Sequence, residues 1–451
     1  MPMIAPPKLN PSSLTALSPA WARVVDDVIH RGEGVHLYGK SGRKYLDFTS
    51  GIGVTNTGHC HPAVVEAVQA QAARLLFGQM NCVVPETALE LADALRPHLP
   101  NGLDTFFFAN SGAEAVEGAV KLARVATGRP NVIAFHGGFH GRTAMTMALT
   151  SSKTVYRAGY QPLPAGVFFS PFPYTMHYRD AGLCAGPTEG ICGLPGKCDV
   201  ACDKERLVAF CLKQLEHTLA SQTAPSETAA VLLEPVLGEG GYVPAPASFL
   251  QGVRAICDRH GLLLIMDEIQ SGCGRTGDWW YHTRAGVTPD ILTVAKGIAS
   301  GMPLSMFVAP ADLMAKLGPG THGGTYGGGS AVAQAAAIAT IEVLEKEALI
   351  DNAREQGQRL TKALRAIADR HESFREVRGP GLMVGCEFAA GAEGKAQAVA
   401  IAKRCADDNL LLLTCGTHGN IVRWIPPLIV TAEQIDEGVN IFDRAVSELL
   451  Q

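Results

Sequence analysis

Two ionisable residues each close an apolar run. Asp267 ends Gly261-Leu-Leu-Leu-Ile-Met-Asp267 and is followed by Glu-Ile-Gln270. Lys296 ends Asp290-Ile-Leu-Thr-Val-Ala-Lys296. Both runs read as fully buried strands, and parallel sheets bind ligands outside their carboxyl ends. A carboxylate and an amine taken out of water are costly unless they are paired or used. One use is pyridoxal phosphate, whose aldehyde forms a Schiff base with a lysine and whose ring nitrogen takes an acidic partner. A structural Asp–Lys ion pair is the other reading of these two residues alone.

Further groups suit the same cofactor. Phe108-Ala-Asn-Ser111-Gly112-Ala113 is a strand, a small-residue turn and a helix start, so its amides and hydroxyl make an anion site or an ordinary N-cap. A second Gly-rich loop, Thr321-His-Gly-Gly-Thr325-Tyr-Gly-Gly-Gly329, offers a hydroxyl or a flexible turn. Alternation along an extended chain turns Asp267 and Ile269 the same way, one toward a ring nitrogen and one onto a ring face, with Gln270 just beyond. His136-Gly-Gly-Phe139-His140-Gly141-Arg142 follows another strand and supplies an aromatic ring and a cation.

These residues need an α/β scaffold. Strands are expected at 104–108, 131–135, 229–234 and in the two opening runs, alternating with helices at 62–76 and 113–126. A hairpin is expected over 34–48 with its turn at Gly39 to Gly42, and a short amphipathic helix over Trp21 to Ile29. An Ala-rich helix from Ala331 to Leu349 bridges to a smaller part, with helices near 352–370 and 394–408 and strands within 374–388 and 419–425. The domain expectation is residues 1–65 contributing to a small domain, 66–330 as the large domain, and 331–451 as the bridging helix and small domain. At 451 residues and 47% hydrophobic content, the chain is long and apolar enough for more than one core. A net charge of −5 argues against nucleic-acid or anionic-membrane partners by bulk charge. The N-terminus lacks the order of a signal peptide, so a cytoplasmic location and reduced thiols for the twelve cysteines are expected.

The ordered set of stretches resembles the class III aminotransferases, the ω-aminotransferase family of pyridoxal-phosphate fold type I. The matching stretches are Ser111-Gly112-Ala113-Glu-Ala, Phe139-His140-Gly141-Arg142-Thr143, Glu234-Pro-Val-Leu-Gly-Glu239, Asp267-Glu-Ile-Gln270, Lys296-Gly297, Gly324-Thr325-Tyr326-Gly-Gly and Arg423-Trp-Ile-Pro-Pro427. The resemblance implies a large, mostly parallel-sheet α/β domain with a smaller α+β domain. It also implies a homodimer with active sites at the interface, or a dimer of dimers. Lys296 would hold the cofactor and shuttle protons, with Asp267 on the ring nitrogen. Gln270 would bind the ring hydroxyl, and Phe139 and Ile269 would sandwich the ring. Ser111, Gly112 and Ala113 would bind the phosphate, with Thr325 reaching over from the other subunit. His140 and Glu234 complete the cofactor set.

The nearest substrate class by resemblance is that of 4-aminobutyrate aminotransferases, in which the positions of Ile52, Arg142, Glu239 and Arg423 belong to the substrate site. There, Arg142 would hold the ω-amino acid's carboxylate. Arg423 would hold the α-carboxylate of glutamate and pair with Glu239 in its absence. Amine:pyruvate ω-transaminases and acetylornithine or ornithine aminotransferases are the alternatives, and a cofactor-binding regulator is the non-enzyme one. Two stretches depart from the pattern. The loop ends Gly327-Gly-Gly-Ser330 where the family usually has Gly-Asn-Pro, which should loosen the turn. An extended segment carries His177, Cys184, Cys192, Cys198 and Cys202, but it has no paired-cysteine knuckle. No metal is expected there, nor at His59 and His61, which read as a loop before a helix.

Overall fold

The computed structural model describes residues 16–180 and 200–450. The cysteine-rich segment 177–202 falls largely outside the described residues. A seven-stranded sheet forms the large domain. Its strands lie side by side as Thr105–Ala109, Ser305–Ala309, Ile291–Val294, Leu263–Asp267, Thr228–Leu233, Asn131–Phe135 and Val167–Ser170. The last five run parallel, and Ser305–Ala309 is antiparallel to both its neighbours. Every residue of Thr228–Leu233, Ile291–Val294 and Ser305–Ala309 is buried, as a sheet covered on both faces requires.

Helix Gly112–Thr127 begins at Ser111 with a capping box, Glu114 reaching back to the Ser111 amide at 3.1 Å. It ends on Gly128 in the left-handed region, and its Ala/Val face packs on the sheet. Helix Ala331–Lys346 is Ala-rich because it lies close to helix Pro62–Ala72, with Val64, Ala336 and Ala339 in one apolar cluster. The loop before it keeps its bonds. Ser330 caps the helix through the Ala333 amide, and Gln334 Nε2 donates to Gly328 O at 2.7 Å. The loosening expected from the Gly-Gly-Ser ending is therefore offset by these two contacts.

Four antiparallel strands, in the order Phe374–Arg378, Val384–Phe388, Ile421–Trp424 and Leu413–Cys415, carry helices Leu349–Ala368, Ala392–Asp407 and Ala432–Leu449. A further sheet joins the N-terminal strands Ile29–Glu33, His36–Gly39 and Lys44–Asp47 to Leu410–Leu411. The hairpin expectation holds. The helix over Trp21 to Ile29 does not form: the chain there runs irregularly into the first strand, and Trp21 is 72% exposed. The hairpin outcompetes it. Asp27 accepts from the Ser41 amide at 3.3 Å and from the Tyr45 hydroxyl at 3.0 Å, and Lys40 N donates to Val28 O. One or two isolated helical turns cannot match those bonds. Among the described residues no helix is long and apolar enough to cross a membrane.

Candidate active site

A cavity of about 320 Å³ opens at the carboxyl ends of the parallel strands. It is lined by Ser111, Gly112, Ala113, Phe139, His140, Glu234, Glu239, Asp267, Ile269, Gln270 and Lys296, together with Val54 and the segment Gly301–Leu304. Five elements converge because their strands end in register. Asp267 pairs with Thr293, so the chain beyond Val294 delivers Lys296 just past it.

Lys296 differs from the expectation in one respect. It is not in the strand but opens the tight turn Lys296–Ala299, with φ 51°. Left-handed backbone at a non-glycine residue stores about 1–3 kcal/mol and persists only where the surroundings impose it. Here they do, because Gly297 packs so tightly on Asn56 that an added Cβ would lie 2.1 Å from its amide nitrogen.

Asp267 is 3% exposed. His140 Nδ1 donates to its Oδ2 at 2.8 Å, and the Ile269 amide donates to Oδ1 at 3.1 Å. Burial disfavours the charged His140 ring, but the hydrogen bond and charge of Asp267 outweigh it and raise the ring's pKa. His140 therefore stands behind Asp267 as its orienting partner. Glu234 ties two loops, accepting from Phe139 N at 2.8 Å and Gly238 N at 2.9 Å. Burial raises its carboxyl pKa and lowers that of the Lys296 amine, against the pull of Glu234 and Asp267 on the latter.

The anion-binding end is the first turn of helix Gly112–Thr127. Ser111 is its N-cap, with a side chain that accepts from Glu114 N. First-turn amides such as those of Gly112 and Ala113 have no intrahelical acceptor and suit an anion. Gly112 must be small: a Cβ there would meet Ile269 Cδ1 at 2.9 Å. Phe139 and Ile269 both face the cavity, and Gln270 Oε1 is buried without a partner. A carboxylate for a ring nitrogen, an amine, an unpaired amide oxygen, apolar walls and a helix N-terminus together fit pyridoxal phosphate.

Four of the residues singled out from sequence lie off the cavity wall. Ile52 is 41% exposed with φ 67°. Thr325 is exposed on the loop beside Tyr326. Arg142 is exposed, its guanidinium 4.5 Å from the Tyr156 ring centre. Arg423, on the inner strand Ile421–Trp424 of the four-stranded antiparallel sheet, donates from Nη1 to Glu239 Oε2 at 2.8 Å. The other oxygen of Glu239 accepts from Lys153 Nζ at 2.8 Å and Tyr156 OH at 2.7 Å. Burial pushes Glu239 up, but Arg423 and Lys153 hold it down, to about 2. Lys153, Tyr156 and Val54 carry no motif that the sequence singles out. His59 Nε2 bonds Asp47 at 2.8 Å, and His61 Nε2 bonds Glu347 at 3.0 Å just before helix Pro62–Ala72.

The class-III aminotransferase family model matches residues 18–446. The chain is 39% identical over 412 residues to a 5-aminovalerate aminotransferase of Pseudomonas putida, covering 90% of each chain. It is 37% identical over 426 residues to a 4-aminobutyrate aminotransferase of Escherichia coli, covering 93% of each. An amine transaminase from an uncultivated Pseudomonas species, solved in its PLP-bound form, superposes with TM-score 0.83 at 28% identity, covering 94% of this chain and 95% of that one.

Proposed function

The chain belongs to the class III aminotransferases and depends on pyridoxal phosphate, and from that premise we propose that it moves the amino group of an ω-amino acid of the 4-aminobutyrate or 5-aminovalerate type to 2-oxoglutarate by a ping-pong mechanism. The observation that carries this is the Arg423–Glu239 pair at 2.8 Å beside the cavity. A donor with one carboxylate and an acceptor with two must share one pocket. A fixed second cation would stand unpaired in the first half-reaction, at a cost. A cation already paired with an internal carboxylate avoids that cost.

Pyridoxal phosphate, when bound, supplies the electron sink for charge that develops at the substrate carbon. Asp267, oriented by His140, would face the ring nitrogen. Phe139 and Ile269 would flank the ring, and Gln270 would offer its unpaired amide oxygen to the ring hydroxyl. Gly112 and Ala113 amides and the Ser111 hydroxyl would hold the phosphate. Lys296 moves protons, and the lowered pKa of its amine favours the neutral form that this needs. Glu234 fixes the Phe139 loop over the site. Arg142 holds the donor's carboxylate, and Ile52 walls the approach.

In our reading the enzyme is a homodimer whose partner supplies Thr325. Exposed Leu76, Val83, Val84 and Tyr326, with Phe77 against the Tyr326 ring at 5.7 Å, support this reading, because exposed large apolar side chains on neighbouring segments suit an interface. We divide the chain into 1–65 and 331–451 around a large domain at 66–330, and assign it to the cytoplasm.

The test is a donor panel with 2-oxoglutarate or pyruvate as acceptor. 4-Aminobutyrate or 5-aminovalerate with 2-oxoglutarate is expected to give the highest kcat/KM. Arg423→Ala should raise KM for 2-oxoglutarate by at least about tenfold, the loss of one charge-assisted contact, with much less effect on the donor. Preference for simple amines with pyruvate, or equal losses for donor and acceptor in Arg423→Ala, would overturn the assignment.

A further inference from the structure

We propose that Lys153, with Tyr156, is a positioning residue that retains Glu239 in place and ionised while Arg423 turns to a second carboxylate. This rests on the dual-substrate reading above. The two oxygens of Glu239 are divided between two sets of partners: Oε2 faces Arg423, and Oε1 takes both Lys153 Nζ and Tyr156 OH. Lys153 immediately precedes the short turn Thr154–Tyr156, so one local fold presents both donors to one oxygen. The platform is anchored: Ser151 N and Ser152 N donate to Gly138 O, and Ser151 Oγ donates to Phe135 O. Lys153, Glu239 and Arg423 are all largely buried, their side chains 18%, 13% and 5% exposed.

Charge counting gives the consequence. While the pair is closed, Glu239 faces two cations. Once Arg423 leaves for a substrate carboxylate, Glu239 still faces one, and each charge in the pocket has a partner. Without Lys153, opening would strand a buried carboxylate with only a phenol, and that stranding is what makes breaking a buried pair expensive. Lys153 therefore favours the open state, and its loss penalises only substrates that require opening.

The experiment uses the holoenzyme and measures both half-reactions. Lys153→Met keeps the stem and removes the charge. It is expected to raise KM for 2-oxoglutarate by about tenfold with kcat nearly retained, whereas KM for 4-aminobutyrate moves less than about twofold. Lys153→Arg should restore the acceptor KM. In a Glu239→Gln background, where there is no anion to hold, Lys153→Met should add nothing. Tyr156→Phe should shift the acceptor KM in the same sense, by less, and gives an independent reading if the lysine variant is poorly folded. A donor KM that rises as much as the acceptor's would mean that Lys153 meets the donor directly, and overturns the proposal. So would an undiminished effect in the Glu239→Gln background, or no acceptor-selective effect in either variant. Wild-type enzyme that uses pyruvate but not 2-oxoglutarate also overturns it and leaves amino transfer standing. Absence of transfer from any ω-amino donor would instead sink the proposed function.

Discussion

Lys296 combines two unusual properties at one position, a left-handed backbone and an amine whose pKa burial drives down. The attacking form of an amine is the neutral one. In the cofactor-free protein, the reaction of Lys296 with pyridoxal phosphate should therefore speed up with rising pH. It should level off with a midpoint below the 10.5 of an unperturbed lysine. Stopped-flow absorbance during reconstitution across pH reads this directly, and a midpoint at 10.5 or above would mean that the amine is solvated. At this scale much of the site was legible. Asp267 and Lys296 stood out because an ionisable group ending a fully apolar run is rare and costly. His140, by contrast, looked like a cofactor contact, and its bond to Asp267 appears only in the fold. Lys153 was invisible, since a lone lysine near a serine pair reads as a solvated charge until the chain brings Glu239 to it.

Between elements, one residue joins three segments. Arg275, essentially buried, donates to Leu382 O at 3.2 Å, to Pro426 O, and to Asn56 Oδ1 at 2.8 Å. Asn56 in turn donates to Cys273 O and accepts from the Leu428 amide. The N-terminal segment, the large domain and the small domain are thereby fixed around the turn that carries Lys296. Among the described residues no carboxylate pairs with Arg275, and burial lowers its pKa to about 10. Arg275→Met keeps the volume but leaves three acceptors unpaired, so a loss of at least about 3 kcal/mol is expected. Urea unfolding of the cofactor-free protein measures it, and a change below about 1 kcal/mol would show that water replaces the guanidinium. Nothing in Gly274-Arg275-Thr276 announces this role, because a buried arginine bonded to carbonyls has no sequence signature. Five of the seven strands of the large sheet are legible as apolar runs, whereas Val167–Ser170 and Ser305–Ala309 are too short or too mixed to stand out and appear only in the fold. The stretch from Trp21 to Ile29 has apolar spacing that suits a helix, but hairpin contacts decide its path.

For the whole molecule, the cavity lies at the carboxyl ends of the large parallel sheet, and a residue of the smaller sheet reaches in beside it. Asp267 ends one strand of the large sheet, Lys296 and Glu234 follow two others, and Arg423 of the strand Ile421–Trp424 pairs with Glu239. The alternation of strands and helices made the α/β class readable, and the ordered motifs made the family readable. The way Arg423 returns to the large domain came only from the tertiary path, which separates it from Glu239 by 184 residues. The central claim is that this junction is a single pyridoxal-phosphate site built on Lys296. Borohydride reduction of the holoenzyme followed by peptide mapping tests it most directly. The account predicts one modified lysine, Lys296, at one cofactor per chain; modification at a different lysine, with Lys296 recovered unmodified, would contradict it.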